Sequence, residues 1–254
     1  MSFFIGIDIG SSSAKAAVVD ETGALLHTLL RPTGWDSAGA AQALAEDFAR
    51  LHMDVQQEKV VATGYGRNAV AYAGKRITEI TCHGRGAYWL FGAEAATVID
   101  IGGQDSKIMR IEHGKVRDFM MNDKCSAGTG RFLEIMSAAL GISIDELCDL
   151  AATGGGVHIS SMCTVFAESE VVGLIGKGTA RADIAYAIVD SIVQKVCAQA
   201  AKLISDEPVF LTGGLCKQEN LIRALGQRLG KPLVSHENAR FAGAIGAALL
   251  AAER

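Results

Sequence analysis

The strongest constraint in this chain is a stretch that occurs twice. Residues 7–15 read IDIGSSSAK and residues 99–107 read IDIGGQDSK. Both open apolar-Asp-apolar-Gly, and both place a Lys at the same distance after the Gly. The repeat extends beyond these residues. FFIGIDIG, SSSAKAAVVD and, after a turn at Thr22-Gly23, ALLHTLL read as three strands. AATVIDIG, SKIMRIE and, after a turn at His113-Gly114, KVRDFMMND repeat the order. β-rich runs bounded by Gly turns predict strands. Apolar residues at helical spacing predict helices over 38–53, within 80–92, and over 129–140, 143–152, 164–175, 180–204 and about 218–229. KVVATGYG, PVFLTGG and PLVSH are further strands, and FAGAIGAALLAA is a closing helix of small residues. Mixed elements with an internal duplication predict an α/β chain of two duplicated lobes with a cleft between them. The lobes are expected at 1–95, with the helix of 238–254 packing back on the first, and at 96–237.

Composition removes several alternatives. The chain has 254 residues, 49% hydrophobic, which suffices for a sizeable core. A net charge of -4 leaves no basic footprint for nucleic acid. The apolar start MSFFIGIDIG lacks a basic region and already contains Asp8. No run approaches the roughly 20 apolar residues that span a bilayer. The expectation is a soluble cytoplasmic protein with neither a nucleic-acid nor a membrane partner.

A strand that ends in Gly and enters a tight polar turn exposes backbone N–H groups with no side chain in the way, which suits phosphate. Asp8 and Asp100 end their strands, where a carboxylate can hold Mg²⁺ directly or through water. Gly10, Ser11, Ser12, Ser13, Ala14 and Lys15 form the first turn, and Gly102, Gly103, Gln104, Asp105 and Lys107 the second. Both lysines could reach phosphate. Two matched copies suggest a two-sided clamp, and the pattern resembles the acetate and sugar kinase, heat-shock chaperone and actin superfamily. That resemblance implies two actin-like (ribonuclease H-like) lobes, ATP or ADP between two phosphate hairpins, and Mg²⁺ near Asp8. It also implies a third glycine turn at the adenosine, here LTGGLCK with Gly213, Gly214 and Lys217. The serine copy suits donation to phosphate. In the other copy Gln104 and Asp105, with Asp8, are the candidates for catalysis, placing water at the γ-phosphate. Two glycine-rich stretches, GLIGKGT and GYGRNA, are set aside: the first has the wrong spacing for a P-loop and the second is a fragment.

Six cysteines occur without a CxxC: Cys82, Cys125, Cys148, Cys163, Cys197 and Cys216. Cys125 in NDKCSAGTGRFLEIM and Cys163 in ISSMCTVFAESEV each lie just before a predicted helix, where free N–H groups favour a thiolate. Two thiolates do not complete a tetrathiolate site, and the simplest remedy is a symmetric dimer with two Cys from each subunit; the alternative for a lone Cys before a helix is a buried small hydrophobe. Cys148 and Cys197 sit in amphipathic helices and read as core.

DIGGQDSK, NDKCSAGTGRFLE and SSMCTVFAESEV together resemble the ATP-dependent activators of 2-hydroxyacyl-CoA dehydratases, with relatives serving benzoyl-CoA reductases and double-cubane proteins. The likeness runs over essentially the whole chain. It implies a homodimer with one 4Fe-4S cluster held by Cys125 and Cys163 of both subunits. It further implies an electron taken from ferredoxin or flavodoxin and driven by ATP into a dehydratase-like or double-cubane partner. Nucleotide contacts are implied at Ser11 to Lys15, Gly103, Gln104, Gly213 and Gly214, and at Gly243, near the adenosine. Two other readings stay open here: a small-molecule kinase of the same fold, which leaves the two cysteines unexplained, and a nucleotide-switched binding protein without redox chemistry.

Overall fold

The computed structural model describes residues 2–160 and 163–253. The repeat in the sequence is a repeat of sheet topology. Strands β1 (Phe4–Ile9), β2 (Ser13–Val19), β3 (Leu25–Pro32), β4 (Lys59–Thr63) and β5 (Lys75–Arg76) form one sheet in the order β3-β2-β1-β4-β5. Strands β6 (Ala95–Ile101), β7 (Ser106–Glu112), β8 (Lys115–Asn122), β9 (Val209–Gly213) and β10 (Leu233–Ser235) form the other in the order β10-β9-β6-β7-β8. Read from opposite edges, the two orders are the same. β1 pairs antiparallel with β2 and parallel with β4, and β9 lies parallel to both β6 and β10.

Eight α-helices accompany the sheets among the described residues: α1 (Ser37–Arg50), α2 (Glu79–Phe91), α3 (Gly130–Leu140), α4 (Ile144–Ala151), α5 (Thr164–Gly176), α6 (Arg181–Ala200), α7 (Glu219–Leu229) and α8 (Ala242–Ala252). Their ends follow local chemistry. The Asp36 carboxylate accepts the Ala38 and Gly39 amides and starts α1. Ser143 and Glu146 form a capping box that starts α4. Gly92, Gly141 and Gly230 close α2, α3 and α7 in the left-handed conformation. One boundary differs from the sequence reading. α6 stops at Ala200, after which the Leu203 and Ile204 amides both donate to the Ala200 carbonyl. α3 starts at Gly130, and Cys125 stands before it, as the sequence indicates.

The chain divides into two compact units: Met1–Ala95 with Ile111–Arg117 and Asn238–Arg254, and Ala96–Arg110 with Asp118–Glu237. The segment 111–117 groups with the first unit because its backbone is tied there. The His113 amide donates to the Glu94 carbonyl at 2.7 Å. A Cβ added at Gly84 would stand 2.6 Å from Val116.

In the first unit the sheet is buried on both faces. Ile5, Ile7 and Ile9 pack with Leu44 and Phe48 of α1, while Phe4 and Val61 pack with Ala244, Ile245 and Ala248 of α8. α8 is made of small residues because backbone meets backbone there. A Cβ at Gly246 would lie 1.7 Å from the Cys82 carbonyl oxygen, and one at Gly6 would lie 1.9 Å from that of Ala244. The second unit's core joins Ile99, Ile101 and Ile108 of its sheet to Phe132, Met136, Leu147, Ile188 and Leu221.

Candidate functional site

The two repeated turns share a frame. The Gly10 amide donates to the Ser13 carbonyl at 3.0 Å, and the Gly102 amide donates to the Asp105 carbonyl at 2.9 Å. Behind each turn stands a Thr-Gly pair at the end of the neighbouring parallel strand, Thr63-Gly64 and Thr212-Gly213. Gly64 and Gly213 have φ of +83° and +91°, and a Cβ on either would collide with the carbonyl of Ile9 or Ile101. The Gly66 amide donates to the Ile9 carbonyl as the Gly214 amide donates to that of Ile101. GYGRNA, set aside from sequence, is therefore the first unit's counterpart of the TGG turn. The signal was present: it is the far end of the same duplication, AT-G against LT-G.

The first turn keeps an open carboxylate. Asp8 is 7% exposed, and its Oδ1 is buried with no hydrogen-bonding protein group. Its Oδ2 lies 3.7 Å from Lys15 Nζ, its cross-strand neighbour. Gly64 and Gly243 leave room for this carboxylate; a Cβ on either would come within 2.4 Å and 2.8 Å of its oxygens. Gly243, expected near the adenosine, thus has its packing reason beside Asp8. A buried carboxylate oxygen without a partner fits Mg²⁺ or its bound water. The Thr33 hydroxyl and amide hold the carbonyls of Gly10 and Ser12, which fixes the tip. Ser12 is exposed and Ser11 and Ser13 are half-buried. Ala14 points its methyl into the core, so only its backbone is available to a ligand.

The second turn is closed on itself, which corrects two expectations. Lys107 is 1% exposed, with Nζ 3.3 Å from Asp100 and 2.9 Å from Asp105. It pairs with both carboxylates of its own hairpin and does not extend outward. Asp105 is buried against Lys107 and Gly102, so its carboxylate is committed and does not face a water at the tip. Asp100 also accepts from the Thr212 hydroxyl at 3.1 Å. Gln104 alone of the pair stands exposed at the tip, beside the half-buried Gly102 and Gly103. Gly214 and Lys217 are exposed, whereas Gly213 is buried. Cys216 is 3% exposed and fills the core as an aliphatic residue would.

The cysteines separate cleanly. Cys82, Cys148 and Cys197 are buried, and burial pushes their thiols up to about 12, 12 and 11. Cys163 is exposed and Cys125 half-buried. Cys163 caps α5, as expected. Cys125 precedes α3, whose cap is Thr129. It lies in a turn held by Asn122, whose amide donates to the carbonyls of Cys125 and Ala127 at 2.9 Å each. The first amides of α3 are used elsewhere: Gly130 N donates to Gly102 O and Arg131 N to Gly103 O, at 2.9 and 2.8 Å. The two thiol segments meet through the residues that follow each cysteine. Ser126 Oγ and Thr164 Oγ1, 38 positions apart, lie 2.7 Å from one another. Sequence reasoning missed Asn122, Ser126, Thr129 and Thr164, because their contacts depend on tertiary placement. Among the described residues, no group of three or more His, Cys, Asp or Glu is assembled in one chain. No helix among them is long and apolar enough to cross a membrane.

Comparison with known proteins decides the lineage: the model of the BadF/BadG/BcrA/BcrD ATPase family matches residues 5–251. The chain belongs to this family. Its fold is accordingly the α/β, duplicated actin-like fold expected from the two hairpins. The (R)-2-hydroxyglutaryl-CoA dehydratase activating ATPase of Acidaminococcus fermentans is 38% identical over 252 residues, covering 98% of this chain and 96% of that one. The crystal structure of the A. fermentans (R)-2-hydroxyglutaryl-CoA dehydratase component A matches with a TM-score of 0.92 and 37% identity, over 100% of this chain and 98% of that one. The activator of 2-hydroxyisocaproyl-CoA dehydratase from Clostridium difficile, solved with bound ADPNP, matches with a TM-score of 0.91 and 32% identity, over 99% and 94% of the two chains.

Proposed function

We propose that this member of the ATPase family is an ATP-hydrolysing iron–sulfur activator. It acts as a homodimer on a 2-hydroxyacyl-CoA dehydratase-like or double-cubane partner, with ferredoxin or flavodoxin as electron donor. The observation that carries the reading is the joining of the two accessible cysteines' segments within one unit, on a turn next to α3, whose first amides are hydrogen-bonded to a phosphate-type hairpin. A kinase has no use for that arrangement.

Asp8 would hold Mg²⁺ through its open Oδ1. The amides of Gly10 to Ser13 and the serine hydroxyls would receive phosphate oxygens, and Lys15 would add charge. Gln104 of the second hairpin would orient water, and Gly214 and Lys217 would line the adenosine side. These residues bind, orient and exclude; phosphoryl transfer needs chiefly positioning and charge.

Cys125 and Cys163 would ligate one 4Fe-4S cluster together with the same pair of a second copy. Bound there, the cluster supplies one-electron chemistry at low potential. A surface suited to that second copy adjoins the thiols: Val165, Phe166, Val172 and Ile175 of α5 are exposed, Phe166 by 64%. An apolar helix face beside a two-cysteine half-site matches a two-fold interface.

Iron and sulfide analysis with EPR on anaerobically purified protein tests the proposal. The expected result is one cluster per dimer, lost in Cys125→Ala. A metal-free dimer with full ATP-dependent activation of a partner would overturn it.

A further inference from the structure

We propose that the Ser126–Thr164 hydroxyl pair is the positioning link through which the state of the Gly102–Gln104 turn reaches Cys163. The inference rests on reading that turn as a nucleotide contact and the two cysteines as functional thiols.

The argument follows the hydrogen bonds through the second unit. Gly102 and Gly103 offer their carbonyls to Gly130 N and Arg131 N, the first amides of α3. The turn is therefore bonded to the start of a helix, and a shift of its backbone must move that start or break two bonds. Thr129 caps α3 and returns to the preceding turn. Its amide and its hydroxyl both donate to the Ser126 carbonyl, at 3.0 and 2.7 Å. Ser126 is bonded covalently to Cys125, so this much connects the hairpin to the first thiol through backbone. The second thiol has no such route by sequence. Its segment is reached across the Ser126 Oγ–Thr164 Oγ1 contact of 2.7 Å, in which either hydroxyl can donate. Thr164 is 6% exposed, so the bond is shielded from competing water on that side. Thr164 is also the first residue of α5 and follows Cys163 directly.

The geometry yields an asymmetric expectation. Cys125 follows the hairpin through main-chain hydrogen bonds that no side-chain substitution at 164 removes. Among the described residues, the hydrogen bond that joins the Cys163 segment to it is one hydroxyl pair, beside the apolar packing of α5 on α3. Thr164→Val keeps the shape and deletes the hydroxyl, Thr164→Ser keeps the hydroxyl, and Ser126→Ala removes the other partner.

The experiment uses the full chain, iron-free and anaerobic, with and without Mg²⁺–ADPNP. Iodoacetamide labelling is quantified separately at Cys125 and Cys163 by peptide mass spectrometry. In the wild type, nucleotide is expected to change both labelling rates by about fivefold, the scale of one net side-chain hydrogen bond. In Thr164→Val and Ser126→Ala the response at Cys125 persists and that at Cys163 disappears. Thr164→Ser restores it. A merely structural role would alter both thiols together, or neither. A Cys163 response in Thr164→Val equal to that of the wild type overturns the link, as does a wild type in which only Cys125 responds. Iron content of the wild type is a separate readout: a chain that takes up no cluster but shows the split labelling pattern sinks the activator reading and keeps the link.

Discussion

The two hairpins have the same frame and opposite internal economies. Each closes with a Gly amide on a carbonyl three positions on, each sets an Asp at its strand end with a Lys seven positions later, and each leans on a Thr-Gly pair. In the first, Asp8 retains a buried oxygen with no protein partner, and Lys15 stays 3.7 Å away. In the second, Asp100 and Asp105 enclose Lys107, which pairs with both. The tips are anchored differently as well. Thr33 ties the first tip to the end of its own sheet, whereas α3 ties the second to the turn that carries Cys125. Duplication preserved the scaffold; on the proposed reading, chemistry went to one copy and transmission to the other.

The largest expected effect lies in the first copy. Asp8→Asn should lower ATP hydrolysis by about 100-fold or more, the scale of losing one preorganised charge contact in a phosphoryl site. Its melting temperature should stay close to that of the wild type. Phosphate release and a thermal melt check both halves, and a large loss of stability with normal turnover would break the comparison.

Next comes the second copy's ion cage. Lys107→Met leaves two buried carboxylates without their cation and should cost about 3–5 kcal/mol of stability. Lys15→Met should cost about 1 kcal/mol at most, because its pair is longer and partly solvated. Urea denaturation of the two variants measures the difference. Equal costs would mean that the hairpins are not specialised.

The cysteines offer a smaller, sharper contrast. At pH 8 native protein should be alkylated at Cys125 and Cys163, with Cys82, Cys148 and Cys197 protected until unfolding. The thiols of those three are raised in the fold, so their contribution to stability is full below the ordinary thiol range. It is lost as pH climbs from there toward about 11 to 12. Peptide mapping after labelling reads the first part, and melts above pH 9 read the second.

The smallest effect concerns Asp47 on α1, whose carboxyl Arg31 of β3 holds below the usual range, with Arg50 assisting. Its contribution is present above the ordinary carboxylate range and is lost as pH falls through the depressed value. Asp47→Asn should lower the melting temperature slightly at pH 7 and not at all in strong acid. It should leave both hairpins untouched.

The fold was legible because the duplication carries its own topology: two strand–turn–strand–turn–strand runs dictate two sheets of the same order. Which cysteines stay accessible was legible because only two of six lie in small polar surroundings. What escaped the sequence is what packing decides. Whether Lys107 points out or in depends on Asp105 lying beside it. GYGRNA gains meaning only when β4 lies beside β1 as β9 lies beside β6. Cys125 reads from sequence as lying just before a helix, and it does, but that the first α3 amides go to the Gly102 and Gly103 carbonyls is decided by packing. Ser126 and Thr164 are ordinary residues until the fold brings them together.

The asymmetry of the hairpins and the activator reading converge on one observable: the nucleotide must be felt at the thiols. The rate at which a chelator removes iron from the loaded dimer should be compared with ADP and with ADPNP bound. A rate that depends on the γ-phosphate, and loses that dependence in Gln104→Ala, is the expected result. A rate indifferent to the nucleotide in the wild type would contradict the coupling of the second hairpin to Cys125 and Cys163.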